Sequence, residues 1–335
     1  MLEVKNLKKC FRLNNNQRLW AVNGVSFQVK KNEVLGVVGE SGCGKSTLGR
    51  LILRLIEPTG GQIFFEGEEI TGISGRALRS RRKLMQMVFQ NPFASFNPKI
   101  QIGKALTEVC RYYGMTLPES GERISSLLND TGLSADLLNR WPRELSGGQL
   151  QRLAIVRALV SEPSLLIADE PLASLDVSVQ AQLLNLLEEL RKSRSVTMIF
   201  ISHDMNVVEY FCDRAAVMYM GVIMELIPSA ELSHNALHPY TRSLRASAPR
   251  LDVFKGDDSG CASKTQQQNA VTEETPEALR LLGETPNPRI QIAGCPFAPR
   301  CHNAKPECRV ALPELREISP GHWVRCVLKY QILLS

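Results

Sequence analysis

Apolar and polar positions change rhythm several times along the chain. Over residues 2–35 they alternate (Leu2 and Val4, then Val25, Phe27 and Val29), which predicts antiparallel strands buried on one face. The polar run from Leu13 to Leu19, with three consecutive Asn residues, predicts a loop between them. Val34, Leu35, Val37 and Val38 form a short apolar run, the mark of a buried strand. An apolar-periodic segment follows and stops at Pro58, predicting a helix. Gly60 and Gly61 turn into a strand over 62–65, and RALRSRRK (76–83) predicts a helix with a solvated basic face. Met85, Met87 and Phe89 alternate as a further strand, which Gln90 closes; a stiff, exposed loop rich in Pro and Asn follows.

From Ile102 to about Leu138 the period is helical, with breaks at Gly114, Pro118 and Gly132. This predicts a helical subdomain inserted in an α/β core. A helix opens at LSGGQLQR (145–152) and carries Leu150, Leu153, Ile155, Val156 and Leu159 on an apolar period. Two buried strands, LLIADE (165–170) and VTMIFIS (196–202), flank an amphipathic helix from about Val177 to Lys192. AVMYMGVIMEL (216–226), with Gly221 at the turn, predicts an edge hairpin. Past Pro239 the rhythm is lost. Residues 250–275 are polar and aperiodic, a linker or poorly ordered loop, and the tail from Gly283 is Pro-rich.

Composition sets bounds on this picture. The chain has 335 residues, room for one large domain and a smaller one, and 44% hydrophobic residues supply a core. No apolar run approaches the roughly 20 residues that span a bilayer. The opening MLEVKNLKK holds no apolar signal-peptide core, so the expected place is the cytosol or the cytosolic face of a membrane. A net charge of +6 is mild; anionic lipid, nucleic acid or an ordinary solvated surface would each account for it. Nine cysteines in this length do not make a disulfide scaffold.

The chemistry concentrates in VLGVVGESGCGKSTLGRLIL (34–53). Strand, Gly-rich loop and helix follow in the order a phosphate-binding loop requires. Gly39, Gly42 and Gly44 let the backbone curl, and successive N–H groups then face an anion at a helix N-terminus. Lys45 supplies a full charge toward the β and γ phosphates, and the Ser46 hydroxyl can ligate Mg²⁺. LLIADE delivers two carboxylates at the end of a buried strand, where a cation or substrate has to use them. Asp169 suits Mg²⁺ and Glu170 suits a base for an attacking water. Four groups remain open on residue type alone. Phe11 is a core aromatic or a platform for a base. Ser146 with Gly147 and Gly148 is a plain helix cap or a phosphate contact. A lone His203 at a strand end is more often structural. Asp176 sits in a turn.

Taken in order, GESGCGKST, Gln90, LSGGQ, LLIADE, SLD and His203 resemble the ATP-binding cassette family, the ATPase subunits of transporters. LSGGQ is the most specific of these motifs, because other P-loop ATPases lack it. The resemblance covers residues 1 to about 240. It implies a P-loop NTPase core of RecA-like type, an antiparallel β subdomain, a helical subdomain at about 91–160, and a small Cys-containing C-terminal extension. ATP and Mg²⁺ are then expected on Gly39, Ser41, Gly42, Cys43, Gly44, Lys45, Ser46 and Thr47. Phe11 is expected to stack on adenine, and Ser46, Gln90 and Asp169 to serve Mg²⁺. Glu170, Gln90 and His203 are expected to be catalytic, with His203 holding the γ-phosphate. Ser146, Gly147, Gly148, Gln149 and Asp176 would face the nucleotide of a second subunit. Indeed, SGGQ lies about 100 residues from Lys45, behind a separate subdomain. The family's head-to-tail dimer answers that separation. Leu150 stands where a basic residue is common, away from any phosphate contact.

HPYTRSLRASAP (238–249), GCPFAPRC (294–301), Cys308, Pro313, His322 and Cys326 resemble the C-terminal extension of ATPases that drive dipeptide and oligopeptide import. LEVKNLKK suggests the second of the two ATPase subunits in such systems. The domain expectation is therefore a cassette over 1–240, a linker over 241–282 and an extension over 283–335. The implied function is ATP hydrolysis coupled to di- or oligopeptide uptake, from the cytoplasmic face of the cell membrane. Nickel, metallophore or glutathione import is the alternative cargo. The implied partners are a paralogous ATPase subunit or a second copy, two permeases and, indirectly, a solute-binding protein. A cassette ATPase acting on nucleic acid or ribosomes is the reading from another class; its usual second cassette or long insert is missing here, so no nucleic acid is expected. In the tail, gaps of five, six and seventeen residues separate Cys295, Cys301, Cys308 and Cys326. They are wider than zinc pairs use, and four thiolates suit an iron–sulfur cluster. Relatives with this extension imply [4Fe–4S]; zinc and free thiols stay open.

Overall fold

The computed structural model describes residues 1–13, 17–173, 175–247 and 293–328. In chain order the strands are β1 Leu2–Arg12, β2 Arg18–Val29, β3 Val34–Val38, β4 Gly60–Phe65, β5 Glu68–Glu69, β6 Met85–Val88 and β7 Leu165–Asp169. β8 Thr197–Ser202, β9 Arg214–Tyr219, β10 Val222–Pro228, β11 Arg316–Ser319 and β12 His322–Val324 complete them. The helices are α1 Lys45–Ile52, α2 Gly75–Lys83, α3 Ile102–Tyr112, α4 Leu117–Asp130, α5 Gly147–Leu159, α6 Val177–Arg194, α7 Met205–Phe211 and α8 Pro239–Ser247.

Two sheets result. The alternating N-terminal segments form a four-stranded antiparallel sheet in the order β2-β1-β4-β5. The buried apolar runs form the second sheet, ordered β11-β12-β10-β9-β3-β8-β7-β6. Its β3, β6, β7, β8 and β9 run parallel. Strand β3 shows why these runs are apolar throughout. Val34 and Val38 enter one core cluster and Leu35 and Val37 the other, as a period of two demands of a strand covered on both faces. Met198 and Phe200 against Ile199 and Ile201 in β8 repeat the pattern. The first cluster is shared with the helical subdomain, through Ile102, Leu106 and Cys110 of α3 and Ile124, Leu127 and Leu128 of α4. The second joins α1 to the antiparallel sheet through Leu48, Leu51, Ile63 and Phe65. Each such side chain fully removed from water contributes about 1.5–3 kcal/mol.

Three sequence expectations are corrected. The helix after the phosphate loop ends at Ile52, not near Pro58. Arg54 takes a left-handed φ of 54°, and the Arg54 and Leu55 amides donate back to the Leu51 and Arg50 carbonyls, which closes the turn. Pro118 is no break; it lies in the first turn of α4, where its missing N–H costs nothing. The breaks fall at Gly114 and Gly132, both with positive φ. Finally, the hairpin at Gly221 is internal. Met220 and Gly221 make a two-residue turn with φ of 44° and 79°, the twist that suits a tight hairpin. β12 then pairs with β10 through Glu225 and Leu226, and β11 takes the edge.

The C-terminal extension is thus an integral edge of the main sheet. Cys295, Phe297, Ala298 and Cys308 belong to the first core cluster. Glu225, fully buried, accepts hydrogen bonds from the Leu237 and His238 amides and lies 2.7 Å from His322 Nε2. The linker stretch 250–275 and Cys261 fall outside the described residues.

His238, 1% exposed, is placed to make this junction sensitive to acid. Its Nδ1 accepts from the Tyr240 amide at 3.0 Å, which requires that nitrogen to be unprotonated. Burial pushes its pKa down to about 4, outweighing Glu225 and the hydrogen bond to the Arg325 backbone, which both favour the charged ring. The unfolded chain therefore binds the extra proton first, near the ordinary value of 6.5, so stability is lost as pH falls from about 6.5 toward about 4. His238→Asn keeps an acceptor for the Tyr240 amide. It is expected to flatten the fall in urea midpoint between pH 6.5 and pH 4; an equally steep fall would rule His238 out as the sensor.

Candidate active site

The phosphate loop crosses from β3 to α1 under tight steric control. A Cβ on Gly39 would meet the Met218 carbonyl oxygen at 2.1 Å, and one on Gly44 the Ala21 carbonyl oxygen at 2.0 Å. Only glycine fits at either place, and Gly44 also has a left-handed φ of 106°. Ser41 and Gly42 are exposed at the loop's tip, while Cys43 is buried and Thr47 half-buried. Lys45 is 4% exposed. Its ammonium donates to the Gly39 and Glu40 carbonyls at 2.8 and 3.0 Å and approaches Cys43 Sγ at 3.9 Å. The loop therefore curls around its own lysine.

The two strand-end carboxylates divide their roles by environment. Asp169 is 1% exposed, and Ser46 Oγ donates to its Oδ1 at 2.8 Å. Burial raises the Asp169 pKa, against the Ser46 hydrogen bond and the Arg50 charge. A buried carboxylate beside a hydroxyl is a hard oxygen pair. It fits Mg²⁺, which takes few protein oxygens and fills its octahedron with water and phosphate. Glu170 lies one residue past β7 with a left-handed φ of 46°. That conformation costs about 1–3 kcal/mol in a non-glycine residue and is typical of functional turns. It turns the Glu170 carboxylate toward two side chains from other loops. Gln90 Nε2 donates to Oε2 at 3.0 Å, and His203 Nδ1 lies 3.5 Å from the same oxygen. A cavity of about 110 Å³ lies beside Glu170 and His203, room for a reacting water.

The second motif set stands apart. Ser146 caps α5, accepting from the Gln149 amide, while Gln149 reaches back to the Ser146 amide. A Cβ on Gly148 would meet Val179 of α6 at 2.8 Å, so that glycine serves close helix packing as well. Asp176 caps α6 through the Val179 amide. Ser146, Gly147 and Asp176 remain exposed, and no hydrogen bond or ion pair among the described residues ties SGGQ to the phosphate loop. Phe11 sits near the loop end of the β1–β2 hairpin opposite Leu19, half-buried, with Lys9 Nζ 5.0 Å from its ring centre.

The cysteine tail gives the metal expectation no support. Among the described residues, no three or more of His, Cys, Asp and Glu are grouped to hold a metal ion. Among the described residues, Cys295, Cys301, Cys308 and Cys326 form no disulfide. Burial, with Cys326 and Cys308 nearby, pushes the Cys295 pKa up to about 12.

Sequence reading missed two groups around the site. Glu40, inside the loop, is bound by Arg300 of the extension. A cleft of about 500 Å³ also opens between the core and the helical subdomain, with Arg157 and Phe96 on its wall. The motifs HPYT and GCPFAPRC marked the extension, but nothing in their spacing revealed what they touch.

A phosphate loop at a parallel strand, a buried acid on its serine and a second acid with two polar partners define a phosphate-loop ATPase core. Comparison with known proteins agrees. The family model described as ABC transporter matches residues 22–173, and the model described as oligopeptide/dipeptide transporter, C-terminal region, matches residues 224–308. The oligopeptide transport ATP-binding protein AppF of Bacillus subtilis is 45% identical over 98% of this chain and 97% of its own length. A putative peptide import ATP-binding protein of Brucella ovis is 42% identical over 98% and 97%. Among solved structures, the dimeric ATP-binding cassette MJ0796 bound to ADP and Pi aligns with a TM-score of 0.63 and 27% identity, over 68% of this chain and 99% of that one. CbiO1 from Clostridium perfringens, part of the transporter complex cbiONQ, gives 0.62 and 28% over 69% and 89%. The chain belongs to the ABC transporter ATPases, in the branch that carries the oligopeptide/dipeptide transporter C-terminal region.

Proposed function

We propose that this chain is the ATP-hydrolysing subunit of a di- or oligopeptide importer, docked on the cytoplasmic face of the membrane. The observation that carries the reading is one juxtaposition: the Glu170 carboxylate held by Gln90 and His203, beside Ser46 on Asp169, in a chain whose C-terminal region matches that of peptide transporters. Lys45 and the amides of residues 42–47 hold the β and γ phosphates. Ser46, Gln90 and Asp169 would hold Mg²⁺, which would supply neutralisation of phosphate charge. Glu170 takes a proton from the attacking water, Gln90 fixes its carboxylate plane, and His203 reaches the γ-phosphate. Phe11 stacks on adenine. The exposed N-terminus of α5 presents Ser146 and its glycines, with Asp176 near them, to the nucleotide of a second cassette. The dimeric state of the MJ0796 cassette with ADP and Pi bound supports that arrangement.

The permeases dock in the 500 Å³ cleft, against the segment after Gln90. Three cations, Arg79, Arg82 and Arg157, line it against the single acid Glu108. Arg157 faces the Phe96 ring at 5.9 Å, and burial lowers its pKa. Arg157→Glu is expected to abolish co-purification with two co-expressed permeases while Mg·ATP binding stays within about twofold, as a reversed charge at an interface should act. Recovery of the complex at wild-type yield would place the dock elsewhere.

A further inference from the structure

The first turn of the phosphate loop is gripped from behind by the C-terminal extension. Glu40 follows Gly39 in GESGCGKS. Its two carboxylate oxygens accept from Arg300 Nη1 at 2.9 and 3.0 Å. The Arg300 side chain is 6% exposed and that of Glu40 16%, so water screens the pair weakly. The same guanidinium nitrogen donates to Tyr219 Oη at 3.2 Å. Tyr219, Tyr240 and Phe297 pack ring on ring, with centroids 4.6, 5.5 and 5.3 Å apart. Tyr240 Oη in turn accepts from the Glu40 amide at 3.0 Å.

Glu40 is therefore held at its side chain and at its amide by residues from far downstream. Its carbonyl is one of the two carbonyls that accept from Lys45 Nζ. The orientation of this one residue thus helps to set where the lysine ammonium rests. There is also a charge argument. A carboxylate inside a loop that binds a triphosphate opposes that anion unless a cation neutralises it. Arg300 supplies the cation, on a turn fixed by Gly294, whose missing Cβ would meet the Cys308 carbonyl at 2.3 Å, and by the Cys295 amide on that same carbonyl at 2.7 Å.

We propose that Arg300 is a positioning residue of the phosphate loop, acting through Glu40, so that the extension sets the affinity for ATP. This rests on the reading of the loop as an ATP site. Mg·ATP affinity of the full-length chain tests it in four forms: wild type, Arg300→Met, Glu40→Gln and the double variant. Arg300→Met is expected to weaken binding about tenfold, a usual size for coupling between sites. In the Glu40→Gln background, where no carboxylate is left to orient or neutralise, the same change is expected to cost less than about twofold. A purely structural role of Arg300 lowers the melting temperature equally in both backgrounds and leaves affinity alone; that result overturns the proposal, as does an equal loss of affinity in both. Should Arg300→Met not fold, Arg300→Lys replaces it in the same cycle, with a smaller loss because lysine lacks the planar fork. If wild type itself fails to bind Mg·ATP, the ATP-site reading falls first. If wild type binds and Lys45→Ala does not, while the Arg300 variants match wild type, this inference alone falls.

Discussion

Replacing Glu170 with Gln is expected to leave Mg·ATP binding within about twofold and to lower ATP turnover by about 10²–10⁴-fold, the contribution of a positioned general base. The substitution is close to isosteric. Gln90 Nε2 can still donate to an oxygen at position 170, and the left-handed backbone there is no harder for Gln than for Glu. What disappears is a proton acceptor next to the small cavity that adjoins both Glu170 and His203. Steady-state phosphate release and a separate nucleotide-binding titration give the two readouts. If turnover persists at the wild-type rate, the proton goes to another group, and His203, 3.5 Å away, becomes the first candidate.

Lys45→Ala is expected to act on the other half of the reaction, weakening Mg·ATP binding about 10- to 150-fold, as loss of a charged hydrogen bond worth about 1.5–3 kcal/mol requires. The expected effect on stability has the opposite sign. Lys45 is a cation 4% exposed, resting on two carbonyls, and taking a charge out of water is costly. Its removal should leave the melting temperature unchanged or slightly raised without nucleotide, and cancel most of the rise that ATP gives the wild type. A variant that binds Mg·ATP as tightly as wild type would mean that the backbone amides alone supply the affinity.

These two residues were legible because their chemistry is local. Lys45 and Ser46 sit at a fixed step from the glycines of one loop, and Asp169 and Glu170 close one apolar run. Gln90 and His203 were readable as motif members, but only folding brings them to Glu170, since parallel neighbours β6, β7 and β8 end side by side. The misplaced helix end near Pro58 has a local cause that pattern reading overlooks: a left-handed Arg54 can stop a helix whose apolar period continues. The misread edge at Gly221 has a remote one. Its partner strand lies almost 100 residues downstream, beyond a polar stretch with no period.

The sequence alone determined most strands and helices as far as the Gly221 hairpin, where the phosphate loop lies and which two acids close one buried strand. Periodicity, glycine placement and buried charge are properties of neighbours along the chain. Tertiary structure decided that the C-terminal tail completes the main sheet and that Arg300 reaches Glu40. It also decided that the N-terminus of α5, whose Ser146 cap was readable locally, stays uncovered, with its serine and first glycine exposed. Those facts depend on which surfaces bury each other across long separations, and the energy of such contacts leaves no trace in local pattern.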